Sequence, residues 1–138
     1  MESTQTAHFW LGRFPNVERV AAYFHEVYDD CLDDADIDGE DWRRTPLSEF
    51  ARDQGEKWYD HDFMEHGFNP SAASIKELVA GHSYYDQYED ELTRRASELG
   101  LEGVNMFVFI SEDQIARPRS VEGADYWLRY VGTVTYRI

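Results

Sequence analysis

Val104 to Ile110, VNMFVFI, is almost wholly apolar and rich in residues that favour extended backbone. It reads as a central strand buried on both faces and forms the expected core of a sheet. Ala7 to Phe14 adds a first strand, with Phe9 and Leu11 on one side and Trp10 on the other, closed by Gly12 and Pro15. Near the C-terminus, Tyr126, Leu128, Tyr130, Val134, Tyr136 and Ile138 alternate with Arg129, Thr133, Thr135 and Arg137 in strand period, and Gly132 marks a bulge or bend.

Between the strands lie helical patterns. Asn16 caps a helix whose apolar positions Val17, Val20, Ala21, Phe24, Val27 and Tyr28 follow the 3.6-residue period. Thr45 and Pro46 open a short second helix with Leu47, Phe50 and Ala51 inward, ending at Gly55. Asn69, Pro70 and Ser71 open a third, with Ala72, Ile75, Leu78 and Val79 inward, and Gly81 ends it. Ser83 caps a fourth, whose stripe is Tyr85, Tyr88, Leu92, Ala96 and Leu99. The expected fold is α+β: a mostly antiparallel sheet of about four strands, with three to four helices packed mainly on one face. Residues 1–138 form one domain by length, with 1–6 a flexible tail and 29–45 an acidic loop.

Charge bounds the function. Against 13 Lys and Arg stand 28 Asp and Glu, a formal net of −15. Direct binding of nucleic acid is disfavoured, because phosphate is neutralised by Lys and Arg. With 42% apolar and 15% aromatic residues the chain fills a core, so the charge belongs to a folded surface that attracts a basic partner. Cys31 is the single cysteine, and no apolar run near the N-terminus suits a signal peptide or membrane span, so the expected location is the cytoplasm.

Three stretches carry polar chemistry. In the acidic loop, Asp34, Asp36, Asp38 and Gly39 match the opening of a calcium-binding EF-hand loop, but Thr45 stands where the bidentate glutamate belongs, so no metal site is assigned. Asp60, His61, Asp62, Glu65 and His66 sit among Trp58, Tyr59, Phe63, Met64 and Phe68. The two histidines are five apart, which matches no zinc motif, and no convergent catalytic roles can be assembled. Cys31 lies among acids that raise a thiol pKa and depress its reactivity. No enzyme activity and no cofactor are expected.

The order of short motifs is more specific than any one of them. His8-Phe9-Trp10-Leu11-Gly12-Arg13-Phe14, a helix ending Tyr28-Asp29-Asp30, Ser48-Glu49-Phe50 with Asp53 and Gly55, then Trp58 to Glu65, then His82-Ser83-Tyr84, resembles the immunity protein 22 family. That resemblance implies an antidote, encoded beside a bacterial polymorphic toxin, that binds and blocks the toxin. A nuclease target would present a basic groove, and an acidic face would steer association with it. The residues expected on that face are Asp29, Asp30, Asp33, Asp34, Asp36, Tyr59, Asp60, Asp62, Glu65 and Asp86. An acidic nucleic-acid mimic, or an anti-defence inhibitor of a DNA-handling enzyme, explains the charge equally well.

Overall fold

The computed structural model describes residues 3–27 and 46–138. In chain order these form β1 (Thr4–Arg13), α1 (Val17–Phe24), α2 (Glu49–Asp53), β2 (Met64–Phe68), α3 (Ile75–Val79), α4 (Tyr85–Glu98), β3 (Met106–Ser111), β4 (Val121–Glu122) and β5 (Trp127–Arg137). The acidic loop, with Asp34, Asp36 and Asp38, lies outside the described residues. One five-stranded sheet has the order β2-β3-β1-β5-β4, and every neighbouring pair is antiparallel. The fold is α+β, as expected from the sequence. Among the described residues no helix is long and apolar enough to cross a membrane.

Both faces of the sheet are covered. On one, Trp10, Met106, Val108, Ile110 and Leu128 meet Val20, Tyr23 and Phe24 of α1 and Phe50 and Ala51 of α2. On the other, Phe9, Leu11, Phe107, Phe109 and Tyr136 meet Leu78 and Val79 of α3 and Tyr88, Leu92 and Ala96 of α4. The helices therefore divide two and two, a correction to the expectation of one main helical face. The cause is in β1 and β3: successive side chains point to opposite faces, and both strands are apolar at both parities.

β5 reaches both layers by a bulge. Trp10 faces Tyr130 and Phe9 faces Gly132, so one residue is inserted, and Gly132 adopts φ +97°, a conformation only glycine takes without strain. A one-residue insertion exchanges the faces. Leu128 and Tyr130 thus pack on the α1/α2 side, while Val134 and Tyr136 pack on the α3/α4 side.

Local corrections have local causes. Residues 4–6, expected in the tail, belong to β1, where Thr4 pairs with Arg137. In α1 it is Tyr23 that is buried, while Val17 and Ala21 are exposed. Pro46 precedes α2, which is capped by Ser48 through a bond from the Ala51 amide. Ser74, not Asn69, caps α3, because the Asn69 side chain is used on the Ser71 amide in the preceding turn. No side chain caps α4, which begins after Tyr84 at φ +60°.

Asn105 joins three strands at one end of the sheet. Its backbone N–H donates to the Gly12 carbonyl (2.9 Å) and its carbonyl accepts from the Asn69 amide (2.8 Å). Its buried side chain accepts from the Phe14 amide and donates to the Phe14 carbonyl, both at 2.9 Å. Asn105→Leu leaves two buried backbone groups of Phe14 without partners and is expected to cost on the order of 2–5 kcal/mol. In urea unfolding this appears as a lower midpoint with an unchanged slope; a midpoint equal to that of the unaltered protein contradicts it.

Candidate functional site

From Trp58 to Phe68 the chain alternates anchors with exposed groups. Tyr59 is wholly buried, its hydroxyl 3.0 Å from Ser48 Oγ and its ring edge-on to Phe50. It is therefore a core anchor and offers no surface, a correction to its expected place on the binding face. Asp60 is held by its amide, which donates to Gln114 Oε1 (2.8 Å), while its carboxylate accepts from the Asp62 amide (3.0 Å) and so caps a single 3-10 turn over His61–Phe63. That turn throws Phe63 outward, 49% exposed. Asp62 is exposed beside it, with His61 Nε2 at 3.3 Å, and His61 Nδ1 lies 2.8 Å from Glu26.

The chain then enters β2 and its side chains separate by face. His66 stacks flat on Phe24, with ring centroids 4.1 Å apart, and burial lowers its pKa from 6.5. Glu65, on the opposite face, accepts from the Ser83 amide and from His82 Nδ1, each at 2.9 Å. Partial burial raises the Glu65 pKa, but the bonds from Ser83 and His82 outweigh it and hold the carboxyl below 4.5. Gly67 makes room for this contact: a Cβ there would stand 2.6 Å from both His82 Nε2 and a Phe107 ring carbon. The histidines therefore do not converge, and among the described residues no group of three or more His, Cys, Asp or Glu could hold a metal ion.

Tertiary structure brings further groups to this corner. The end of β3 delivers Ser111, Glu112 and Asp113; the start of β1 delivers Thr4, Gln5 and Thr6; the C-terminus delivers Ile138 (56% exposed). Tyr84, 41% exposed, stacks on Tyr136 at 5.1 Å. Two open depressions of about 360 and 290 Å³ result, sharing Gln5 and Phe63. Their linings carry Asp62, Glu65, Glu112 and Asp113 and no Lys or Arg. Asp86 lies exposed in the first turn of α4. Asp29, Asp30, Asp33, Asp34 and Asp36 fall outside the described residues.

Several cations are engaged elsewhere. Arg19 pairs with Glu49 and Asp125, Lys76 with Asp90, Arg94 with Glu91 and Glu98, and Arg95 with Glu91. Among the described residues none of Asp60, Asp62, Glu65, Asp86, Glu112 and Asp113 pairs with Lys or Arg. Phe63, Tyr84, Glu112, Asp113 and Ile138 were missing from the expected face. The only sequence signal for them was the abrupt change from VNMFVFI to Ser111-Glu112-Asp113.

A family model described as Immunity protein 22 matches residues 7–137. No curated protein and no solved structure matches the chain.

Both perturbed groups on β2 make the fold sensitive to acid. A histidine whose pKa is lowered by folding binds its proton more readily when unfolded, so stability is lost as pH falls below 6.5 and levels off beneath the folded value. A lowered carboxyl adds a second loss below 4.5. Urea midpoints measured from pH 7.5 to 4 are expected to fall in these two stages. His66→Phe, which keeps a ring on Phe24, is expected to remove the first stage and leave the second; an unchanged profile contradicts the assignment.

Proposed function

The chain belongs to the immunity protein 22 family, and from that premise we propose that it neutralises a cognate toxin by seating the acidic corner around Phe63 against a basic surface of that toxin. One observation carries the reading: an exposed aromatic ring lies where two open depressions meet, and the walls bear four carboxylates with no Lys or Arg among them. Aromatic anchors inside a rim of like-signed charge suit tight binding to a surface of opposite sign. Carboxylates speed encounter, and a buried ring slows dissociation. The acids Asp29, Asp30, Asp33, Asp34 and Asp36 add to the field by their charge.

A nuclease fits as the target, because a groove that binds phosphate is lined with Lys and Arg. Occluding that groove needs no chemistry from the inhibitor. It needs a surface already in shape, and here Tyr59, Gln114 and the Asp60 cap fix the turn that carries Phe63.

The test is co-expression with the toxin encoded beside this gene, scored as rescue of growth and followed by kinetics on the purified pair. Asp60→Lys with Asp62→Lys is expected to slow association about tenfold or more at low salt and to abolish rescue. Phe63→Ala is expected to leave association nearly unchanged while raising the dissociation rate about 30-fold or more. Rescue and kinetics indifferent to both changes would remove the corner from the interface.

A further inference from the structure

The two edges of the sheet are finished differently. Backbone groups that do not face the neighbouring strand can be followed through the sheet from Asn69 at one end, whose amide donates to the Asn105 carbonyl, to Ile138 at the other, whose amide donates to the Ser3 carbonyl. In β5 the outward groups are those of Arg137, Thr135 and Thr133 and, past the bulge, Tyr130 and Leu128. Several of these are taken: the Gln87 amide accepts from the Arg137 N–H and donates to the Arg137 carbonyl, Arg95 donates to the Thr133 carbonyl and to that of the bulge residue Val131, Ser120 Oγ accepts from the Tyr130 N–H, and β4 pairs at Leu128. Helix α4 and the short β4 thus cover part of this edge.

Among the described residues nothing comparable finishes β2. The same alternation turns Glu65 and Gly67 toward β3 and leaves Met64, His66 and Phe68 facing out. The Met64 N–H is used by the His61 carbonyl in the 3-10 turn. Among the described residues, the Met64 carbonyl and both backbone groups of His66 and Phe68 have no partner. The usual protections of an edge are absent as well: β2 contains no Lys, no Pro and no bulge.

Resting on the neutralising reading above, we propose that β2 is the docking edge, and that an extended basic segment of the toxin adds to it as a further strand. Charge selects the occupant. No Lys or Arg occurs between Lys57 and Lys76, and the strand leads directly from Asp60, Asp62 and Phe63. A second copy of this chain would set those carboxylates against their own counterparts at a net charge of −15 each, whereas a segment bearing Lys or Arg meets opposite charge. Main-chain bonds then supply affinity, and the carboxylates set the choice of partner.

Amide hydrogen exchange on the intact protein, free and bound to a catalytically inactive form of the toxin domain encoded beside it, tests this. The His66 and Phe68 amides are expected to exchange rapidly in the free protein and about 100-fold or more slowly in the complex, while Glu65 and Gly67 stay protected in both. A complex that forms with these two amides still fast overturns strand addition and leaves neutralisation standing. Failure of any complex to form overturns both. A free protein that pairs through these amides with its own copy also overturns the assignment. As a second arm, His66→Pro removes an outward N–H and no bond of the β2–β3 ladder, and is compared with His66→Ala, which controls for the lost ring. The proline variant is expected to bind about 30-fold or more weakly than the alanine variant, and equal binding by the two is the contrary result.

Discussion

A sheet whose strands β1 and β3 carry large apolar side chains on both faces has to be covered twice. In β1 and β3, Phe9, Leu11, Phe107 and Phe109 face one way, and Trp10, Met106, Val108 and Ile110 face the other. Leaving either set in water would forfeit roughly 1.5–3 kcal/mol for each large side chain. Two pairs of helices are the consequence, and the rest of the architecture follows from placing them. The long strand β5 must serve both layers, which its bulge at Gly132 allows, and α4 lies close enough to β5 for Gln87 and Arg95 to bond part of its outer side. Among the described residues, the outward backbone groups of β2 beyond the Met64 N–H are left without partners.

On the α1/α2 side the covering layer is tied down by polar bonds as well as by packing. Asp53 accepts from the Tyr23 hydroxyl at 2.7 Å and from the Tyr126 hydroxyl at 2.6 Å, joining both helices to the loop before β5. Burial, with the carboxylate beside it, pushes the Tyr126 phenol up to about 12 and raises that of Tyr23 further, so both remain donors across the physiological range. Arg19 lies over the Tyr126 ring, 5.1 Å from its centroid, and bridges Glu49 and Asp125. These pairings consume cations where they are structural.

The stretch from Trp58 to Phe68 does three jobs in eleven residues, which is why no simple periodicity describes it. Tyr59 belongs to the core, His66 packs half-buried on Phe24, Asp60 is a cap, and Phe63 is presented to solvent. Glu65 reaches across the strand to the Ser83 amide at the start of α4, where an anionic partner offsets exposed backbone donors. Side chains here were recognisable as a dense group. Their division between support and surface was not, because it depends on which residue happens to meet Phe24, Ser48 or His82.

Sequence by itself determined the apolar strands, the α1 cap at Asn16, the bulge glycine and the middle of the α4 stripe, Tyr88, Leu92 and Ala96, while Tyr85 and Leu99 at its ends are exposed; each correct reading is a local preference repeated in register with the burial it produces. It also determined the excess of acids and the motif series of the family. Tertiary structure alone decided that the helices split between faces, that Tyr59 turns inward, and that Glu112, Asp113, Tyr84 and Ile138 join Asp62 and Glu65 around Phe63. Those residues come from the turn before β2, from β2 itself, from the turn after β3, from the residue before α4 and from the C-terminus, and strand order is what makes them neighbours. Local propensity carries no information about that order, because it is fixed by how distant apolar faces are buried together.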